Sequence, residues 1–491
     1  SWFNGWGMNY RGETAYFEYL YFKKLDQENS NYYSLRNTDS RSAAFYANAT
    51  YSFNGKYVVN GTFRYEGSNQ MGRTTKARWM PTWNLSGAWN VHEESFFPKL
   101  QPLSSLTFRV SYSLTGTPPD AAYCNALTKL SMNTPYRPTT TDKELGFVVA
   151  ALGNDELTYE KKHEFNFGVD AGFFNNRLNV TFDVYQRRNF DEIAPTVTQL
   201  YGTAYANVGS MKSWGEELSI SSTNIKTQDF SWQTSLIYSH NRTEITDLYN
   251  QGRVIDLVQG NGFAKQGYPA RALFSIPFVG INEKGYPVCI NEKGQATVGN
   301  LNFQERDNTD YLIYEGSTDP VYNGSLGNTF NYKGFHLNVF LTYAFGNVVR
   351  LDPAFSAKYN DLTSMTHDFK NRWMQPGDEN VTNVPGVVSR YEYEQNRTLL
   401  VTAYNAYNYT SVRTAKGDFI RLKEISLAYD FPHRWFEKSP VNNISLKLQA
   451  TNLMLLYADK KLNGQDPEFM NAGGVASPMP KQFTLTLKLG L

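Results

Sequence analysis

The sequence predicts an all-β fold: a transmembrane antiparallel β-barrel of about fourteen strands, with short turns at one end and long loops at the other. Three features support this prediction. Apolar and polar residues alternate over many segments, so that each segment has one apolar and one polar face. Short and long connections alternate along the chain, as they do in outer-membrane barrels. Aromatic residues make up 15% of the 491 residues, and such barrels carry aromatic girdles at both membrane interfaces.

The charge balance and the hydropathy argue against other classes. The chain has 47 Lys and Arg residues against 46 Asp and Glu residues, so no excess of positive charge favours nucleic acid as a partner. The longest uncharged apolar run, 145–152, is far shorter than the ~20 residues of a spanning helix. A membrane protein of this composition therefore crosses the bilayer with strands, which need only one apolar face.

The clearest strands form a hairpin within residues 160–186. Apolar residues occupy every second position from 165 to 173, in the same row as His163, and again from 178 to 184 on the return. Between the two strands, Asn175-Asn176 tolerates positive φ and suits a tight turn. The same alternation predicts which side of a barrel wall each residue faces. We expect Val180 and Phe182 to face lipid, and Thr181 and Asp183 to face the lumen.

The other candidate strands follow the same pattern, and Asn54-Gly55 is a strong hairpin signal between the second and third. No segment shows a convincing helical period. Besides the two strands of the 160–186 hairpin, the candidate strands in chain order are Thr14–Tyr21, Ser42–Phe53, Tyr57–Tyr65, Thr82–Asn90, Leu106–Ser113, Trp214–Ser222, Phe230–His240, Tyr322–Tyr332, Phe335–Phe345, Phe419–Phe431, Ile444–Leu453 and Phe483–Leu491.

The connections distinguish a barrel from other all-β folds. A β-sandwich has no reason to keep its long loops at one end, and no repeat of the length expected for a propeller is present. Short periplasmic turns and long outer loops explain the alternation directly. The long segments predicted as loops are Leu20–Arg41, Gly67–Pro81, Thr115–Leu157, Asn189–Ser213, Glu244–Val321, Gly346–Gly417 and Met454–Lys481.

No constellation typical of an enzyme or of a metal site is visible. None of the six histidines has a zinc-binding spacing, and no nucleophile or nucleotide-binding motif occurs. Residues 307–310 carry oxygen ligands but lack the rest of a calcium loop, which favours a surface loop. Cys124 and Cys289 can pair only if the fold brings them together. We expect no enzymatic activity and no cofactor.

Several segments resemble the SusC/RagA family of TonB-dependent outer-membrane transporters. They cover nearly the whole chain, and the most specific are Trp-Met-Gln-Pro-Gly-Asp at 373–378 and Gly-Asp-Phe-Ile-Arg-Leu-Lys at 417–423. The other matching segments are 41–68, Trp79 to Trp89 with Pro81 and Ser86, Asn207-Val208-Gly209 with Gly215-Glu216, and Pro480-Lys481-Gln482-Phe483.

The resemblance implies a 22-stranded barrel in a Gram-negative, Bacteroidetes-like outer membrane, with a plug folded inside it. It also implies a SusD-like lipoprotein that covers the outer face, uptake of oligosaccharides or peptides driven through TonB, and dimers of transporter–lipoprotein pairs. Residues 1–491 are then interpreted as the C-terminal portion of the barrel, with the plug and the first strands outside this chain. The alternatives are a passive fourteen-stranded porin and a secreted all-β glycan-binding protein.

Two expectations can be examined in a structure. Segment Gly346–Gly417 is expected to be an outer loop that shapes the substrate vestibule or docks the lipoprotein, at the opposite end from Asn54-Gly55. Its candidate substrate or partner residues are Arg372, Trp373, Pro376 and Asp378. Strand parity predicts eight further strands before Thr14–Tyr21. A closed porin would instead pair Thr14–Tyr21 with Phe483–Leu491.

Overall fold

The computed structural model describes residues 2–3, 33–34, 41–97, 102–118, 129–133, 146–151, 153–198, 202–359, 365–437, 440–470 and 479–490. Its main feature is one antiparallel sheet of thirteen strands in which each strand pairs with its neighbours in chain order. Among the described residues, no helix is both long enough and apolar enough to cross a membrane. The strands are β1 Ser42–Phe53, β2 Tyr57–Ser68, β3 Trp79–Asn90, β4 Leu103–Thr117, β5 Glu160–Phe173, β6 Leu178–Thr198, β7 Gly202–Lys226, β8 Phe230–Asp247, β9 Tyr322–Tyr332, β10 Phe335–Phe345, β11 Phe419–Asp430, β12 Asn443–Ala458 and β13 Gln482–Gly490.

Thirteen of the fourteen predicted strands correspond to these elements, and the bounds of β1, β9 and β10 are as predicted. The remaining one, Thr14–Tyr21, lies outside the described residues. The prediction of a loop at Asn189–Ser213 is wrong, because β6 continues to Thr198 and β7 begins at Gly202. A β-bulge near Glu192 shifts the register, and the pairing of β6 with β7 continues beyond it.

The sheet is open within the described part of the chain. Its two end strands are β1 and β13, and each pairs with one neighbour only. All twelve residues of β1 are exposed, as expected of an edge strand with little packed on either face. The described strands therefore do not close on themselves, and the pairing partner of β13 on its free side stays a prediction.

Apolar and polar residues lie on opposite faces of the strands, as predicted. In the register of β5 and β6, Val180 lies opposite Ala171 and Phe182 opposite Val169, whereas Thr181 lies opposite Asp170. The apolar row continues to the last strand, where every second residue is an exposed phenylalanine or leucine. These residues are Phe483, Leu485, Leu487 and Leu489. In a barrel this row faces lipid and the opposite row faces the lumen.

Short elements lie in the connections, and the expectation of no helix was wrong. Leu400, Ala403, Tyr404 and Tyr407 follow a helical spacing within a 12-residue helix and are all buried. The helices are α1 Thr75–Arg78, α2 Val254–Val258, α3 Arg390–Gln395 and α4 Arg397–Asn408. The 3-10 turns are Val91–Glu93, His367–Asn371, Asp378–Asn380, Ser411–Arg413, His433–Trp435, Lys460–Leu462 and Pro467–Phe469. The short strands are Trp2–Phe3, Tyr33–Ser34, Lys129–Asn133, Gly146–Ala151, Ala272–Ser275, Phe278–Ile281, Pro287–Ile290, Ala296–Thr297, Ile313–Ser317, Val348–Arg350 and Thr414–Lys416.

The largest buried apolar clusters lie in two long loops, not in the sheet. We call residues 248–321 and 346–418 together the outer platform. Antiparallel order places both loops at the end of the sheet opposite Asn54-Gly55, which confirms the predicted position of 347–416. One cluster combines Phe274 and Ile276 of the first loop with Ala406 of the second, so the two loops share a core.

Candidate functional site

The luminal face carries a group of paired charges a few residues from the β5–β6 turn. Arg109 of β4 donates from Nε to Asp170 of β5 at 2.6 Å and from Nη2 to Asp183 of β6 at 3.0 Å. The Thr181 hydroxyl donates to Asp170 at 2.9 Å. Gly168 lies between them, where a Cβ atom would come within 2.7 Å of the Arg109 guanidinium. The glycine therefore makes room for a cation that joins three strands.

A second charged group lies higher on the same face. Arg187 of β6 bonds Glu164 of β5 at 3.0 Å, and Lys162 reaches the same carboxylate at 2.9 Å. Glu164 and Asp170 are six positions apart on β5, which corresponds to about 20 Å along the strand. The wall thus holds two fixed charged groups at two heights.

Neutral polar side chains extend this wall towards the first strands. They border a shallow cleft of about 350 Å³ beside Arg109. Its polar lining consists of Asn60, Asn84, Ser86, Arg109, Ser111 and Asn166. Amides and hydroxyls both donate and accept hydrogen bonds, so the luminal wall suits contact with another polar surface or with a passing polar solute.

Arg350 holds the outer platform together from inside. Only 5% of its surface is exposed, and it donates to the carbonyl oxygens of Val258 at 3.2 Å, Phe274 at 2.6 Å and Thr410 at 2.8 Å. These acceptors come from both loops. Burial lowers the pKa of Arg350 to about 10, so it remains a cation at neutral pH. Its charge is therefore solvated by carbonyl oxygens.

Trp373 is the sequence-predicted residue that joins the two loops most directly. Its indole lies against Gly285 at the tip of the Phe278–Ile290 hairpin, where a Cβ atom would overlap the ring. The Gly386 amide donates to the Gly285 carbonyl at 2.9 Å, and Tyr286 donates from its hydroxyl to Glu392. The first loop is therefore anchored to the second around Trp373.

The other three predicted residues lie in the same turn. Asp378 accepts from the amides of Met374 at 3.0 Å and Gln375 at 3.1 Å. Pro376 is exposed at the turn, and Gly377 has a φ of +105°, as in a type II turn. Arg372 lies over the Phe369 ring at 4.7 Å. All four residues thus lie together in this turn. Arg372, Trp373 and Asp378 each stabilise the loop through a side-chain contact.

The loop that follows β12, called here the third loop and described at 459–470 and 479–481, is fixed to the top of β11 by a buried ion pair. Arg421 donates from Nη2 to the two carboxylate oxygens of Asp466 at 2.7 and 2.8 Å, and to Glu468 at 3.1 Å. The side chains of Arg421 and Asp466 are 3% and 0% exposed. By its register with Thr342, Arg421 lies on the luminal face. The pair therefore holds residues 466–468 on the luminal side of the first residues of β11.

Neither Cys289 nor the loop 307–310 forms a catalytic or metal-binding site in the described structure. Cys289 is buried in the apolar core, where burial raises the pKa of its thiol to about 12, and Cys124 lies outside the described residues. In the acidic loop, Lys265 bonds Asp310 at 3.0 Å and Thr309 at 3.1 Å. No group of metal-ligating side chains is found among the described residues.

Sequence reasoning missed Arg109 and Arg350. The alternation around Arg109, between Phe108 and Val110, was sufficient to place it in the lumen. No comparable signal exists for Arg350, since its partners are mainly carbonyl oxygens. A repeat that went unnoticed, Ile-Asn-Glu-Lys-Gly at 281–285 and 290–294, builds two matching turns. In each turn the asparagine side chain accepts from two backbone amides.

The comparisons agree with this architecture. The family model described as TonB dependent receptor-like, beta-barrel matches residues 1–352. The TonB-dependent receptor SusC of Bacteroides thetaiotaomicron is 26% identical over 508 residues, covering 98% of this chain and 46% of the relative. The TonB-dependent receptor P3 of Formosa agariphila is 25% identical over 447 residues, covering 86% of this chain and 41% of the relative.

The fold also matches a solved transporter structure. The RagAB peptide importer in its open-open state superposes with a TM-score of 0.74 at 23% identity, over 94% of this chain and 48% of that one. The chain spans less than half the length of the curated relatives that it matches. Because the family model covers residues 1–352 of 491, the chain belongs to the family of TonB-dependent receptor-like β-barrels.

Proposed function

We propose that residues 1–491 form the C-terminal portion of the barrel of an outer-membrane transporter that imports oligosaccharides or peptides in a TonB-dependent process. The observation that carries this proposal is a luminal wall with fixed charged groups below a folded outer platform. A plug and further strands, supplied by sequence outside this chain, complete the barrel. The greater length of the curated relatives supports this division.

The luminal wall suits both a plug and a polar solute. In the lower group, Arg109 is held by two aspartates, which leaves a net charge of −1, and in the upper group Glu164 is held by two cations, which leaves a net charge of +1. The two net charges cancel each other along the wall, so a passing solute meets hydrogen-bonding groups more than a strong field of one sign. TonB acts through the plug, and the wall itself performs no bond chemistry.

The outer platform is the proposed seat of a SusD-like lipoprotein. It is a folded surface with its own core, and it exposes large apolar side chains such as Tyr391, Met374 and Val381. Exposed aromatic and methionine side chains are typical of protein interfaces. Arg372, Trp373, Pro376 and Asp378 then serve mainly to hold this surface in shape. Pairs of transporter and lipoprotein associate as dimers in the proposed assembly.

Uptake by living cells tests the proposal. A strain that lacks the gene is grown with mixed oligosaccharides or mixed peptides as the limiting nutrient, before and after complementation. We expect a growth defect on one of the two, and loss of uptake when a protonophore removes the energy that TonB uses. Uptake that persists under the protonophore indicates a passive porin instead. Equal growth of deletion and wild-type strains on both nutrients contradicts import altogether.

A further inference from the structure

Three basic side chains lie on neighbouring positions of β6, β7 and β8. In the register of these strands, Arg188 lies opposite Lys212, and Arg242 lies opposite Trp214, two positions further along β7. Arg188 and Arg242 are exposed, and the Lys212 side chain is 40% exposed. We call Arg188, Lys212, Trp214 and Arg242 the basic patch.

The basic patch faces away from the lumen. Arg188 and Val180 are an even number of positions apart on β6 with no bulge between them, so their side chains lie on the same face of the strand. On that face, Gln186 lies opposite Trp214. Since the row that contains Val180 faces lipid, the basic patch lies on the same outer surface of the barrel wall.

The patch lies at the outer border of the apolar band. Arg188 is ten positions beyond Leu178, the first residue of β6, which corresponds to about 33 Å along the strand. At a strand tilt of about 40°, this distance is about 25 Å along the membrane normal, which is the height of the apolar band in outer-membrane barrels. Arg242 lies five positions before Asp247, the end of β8, after which the outer platform begins. The patch is therefore level with the polar headgroups of the outer leaflet.

Trp214 holds two of the cations in place. The guanidinium carbon of Arg242 lies 5.6 Å from the centre of the Trp214 ring, and the Lys212 ammonium lies 6.0 Å from it. Cations at this distance are attracted by the electron-rich face of an indole. The ring therefore keeps two positive charges close to each other at the membrane border.

The positive charge of the patch is only partly compensated. Lys212 bonds Glu244 at 3.1 Å, and Glu216 is a second carboxylate on the same face, one row nearer the membrane centre. Neither Arg188 nor Arg242 has a carboxylate partner among the described residues. Arg188 and Lys212 also occupy directly opposite positions, where like charges destabilise a pair of strands. A bound anion would relieve this repulsion.

A phosphate group on a lipid is the anion that fits this position. Guanidinium groups bind phosphate oxygens through two parallel hydrogen bonds, and lysine binds them as a point charge. On the membrane side of the patch, the same face continues into the exposed side chains of Phe165, Phe167 and Phe182. A molecule with a phosphate above and acyl chains below is complementary to both parts of this surface.

We propose that the basic patch binds the phosphate of a phosphorylated glycolipid in the outer leaflet of the outer membrane. Arg188 and Arg242 bond the phosphate oxygens, Lys212 adds its charge, and the acyl chains lie against the phenylalanine side chains below. The site binds the lipid that surrounds the barrel and is independent of the imported solute.

Lipid binding to the complete transporter, extracted in detergent with its partners, tests the inference. The delipidated complex is titrated with monophosphoryl lipid A, with the same lipid after removal of its phosphate, and with inorganic phosphate, and bound molecules are detected by native mass spectrometry. We expect the phosphorylated lipid to bind, and to bind at least tenfold more weakly without its phosphate. This comparison uses the wild-type protein and depends on no variant.

The double variant Arg188→Gln with Arg242→Gln should weaken binding of the phosphorylated lipid at least tenfold. Both side chains are exposed, so we expect the variant to fold. The matched control is Lys226→Gln with Lys333→Gln, which removes two exposed positive charges at the opposite end of the strands and should leave lipid binding unchanged.

Four outcomes overturn the inference. The phosphorylated lipid does not bind, or the lipid without phosphate binds as tightly, or the double variant binds like the control. Inorganic phosphate that binds as tightly as the lipid also overturns it, because the site then takes a free anion. Native mass spectrometry reports the oligomeric state in the same experiment. Loss of dimers in the double variant with unchanged lipid binding would assign the patch to an interface between two copies instead.

Discussion

The indole ring of Trp373 covers Gly285 so closely that the turn has no room for a Cβ atom, and this contact joins the two loops of the outer platform. Gly285 also has a φ of +79°, a conformation that L-residues with side chains rarely adopt. Both the shape of the turn and its packing therefore require glycine. The second copy of the same five-residue motif offers a natural comparison.

Gly285→Ala should destabilise the outer platform more than Gly294→Ala does. Both glycines have positive φ, +79° and +74°, so both substitutions carry a backbone cost of roughly 1–2 kcal/mol. A Cβ at Gly294 meets nothing within 4 Å, whereas at Gly285 it meets Trp373, which adds about 1–3 kcal/mol. Thermal unfolding followed by tryptophan fluorescence measures the difference. Equal effects of the two substitutions would show that the Trp373 contact is unimportant.

Val180→Arg should destabilise the barrel much more than Thr181→Arg does. Arginine on the lipid-facing side costs about 2–4 kcal/mol at the bilayer midplane and about 0–1 kcal/mol near the interfaces. Val180 is the third residue of β6 and lies close to the β5–β6 turn, so we expect a cost towards the lower end of this range. Residue 181 faces the lumen beside the carboxylates of Asp170 and Asp183, which accommodate a second cation. Urea unfolding of the complete barrel in lipid vesicles compares the two variants. Similar losses would refute the assignment of the two faces.

Asp466→Asn should loosen the third loop strongly. It leaves the buried charge of Arg421 without its main counter-ion, at a cost of about 3–5 kcal/mol. The exposed pair of Arg271 and Asp319 is the control, and breaking it should cost no more than about 1 kcal/mol. Limited proteolysis between 459 and 481 measures the loosening. A loop that stays as resistant in Asp466→Asn as in the control variant would argue against a stabilising pair.

Cys289 should resist thiol reagents at neutral pH and weaken the platform at high pH. Burial raises its pKa from 9.0 to about 12, so the folded thiol stays protonated where the unfolded thiol ionises. Stability from this group is complete below pH 9 and is lost as the pH rises from 9 towards 12. Labelling with a disulfide reagent in a Cys124→Ser background checks the first part. Fast labelling of the folded protein at pH 7 would contradict a buried thiol.

Strands in which apolar and polar residues alternate strictly were predicted well, because the alternation by itself indicates a strand and its two faces. The strands Ser42–Phe53, Tyr322–Tyr332 and Phe335–Phe345 have one apolar and one polar face, and hairpin turns of asparagine or glycine delimit them. The loops were predicted poorly. Arg350 is held mainly by carbonyl oxygens, which every residue possesses, so no pattern of side chains reveals its role.

Two of the predictions that the structure contradicts concern the helix α4 and the length of β7. The spacing of Leu400, Ala403, Tyr404 and Tyr407 is helical, but polar residues between and around them obscure the pattern. β7 is 25 residues long, about 80 Å at the rise of a strand, and extends well beyond the thickness of a bilayer. The expected strand length for a membrane crossing led to the prediction of a loop there. The four candidate residues of 372–378 lie together because they are close in sequence, and their role towards substrate or partner stays a prediction.

The outer platform is built from two segments that only the β9–β10 hairpin connects. Phe278 of the first segment packs against the cluster around Tyr404 in the second, so neither segment has a complete core alone. The core of the outer platform can therefore form only when both ends of this hairpin lie at the same end of the sheet. A chain in which β9 and β10 are not yet paired exposes the apolar side chains of both segments and is prone to aggregation. Pairing of this one hairpin is thus a precondition for folding of the whole platform.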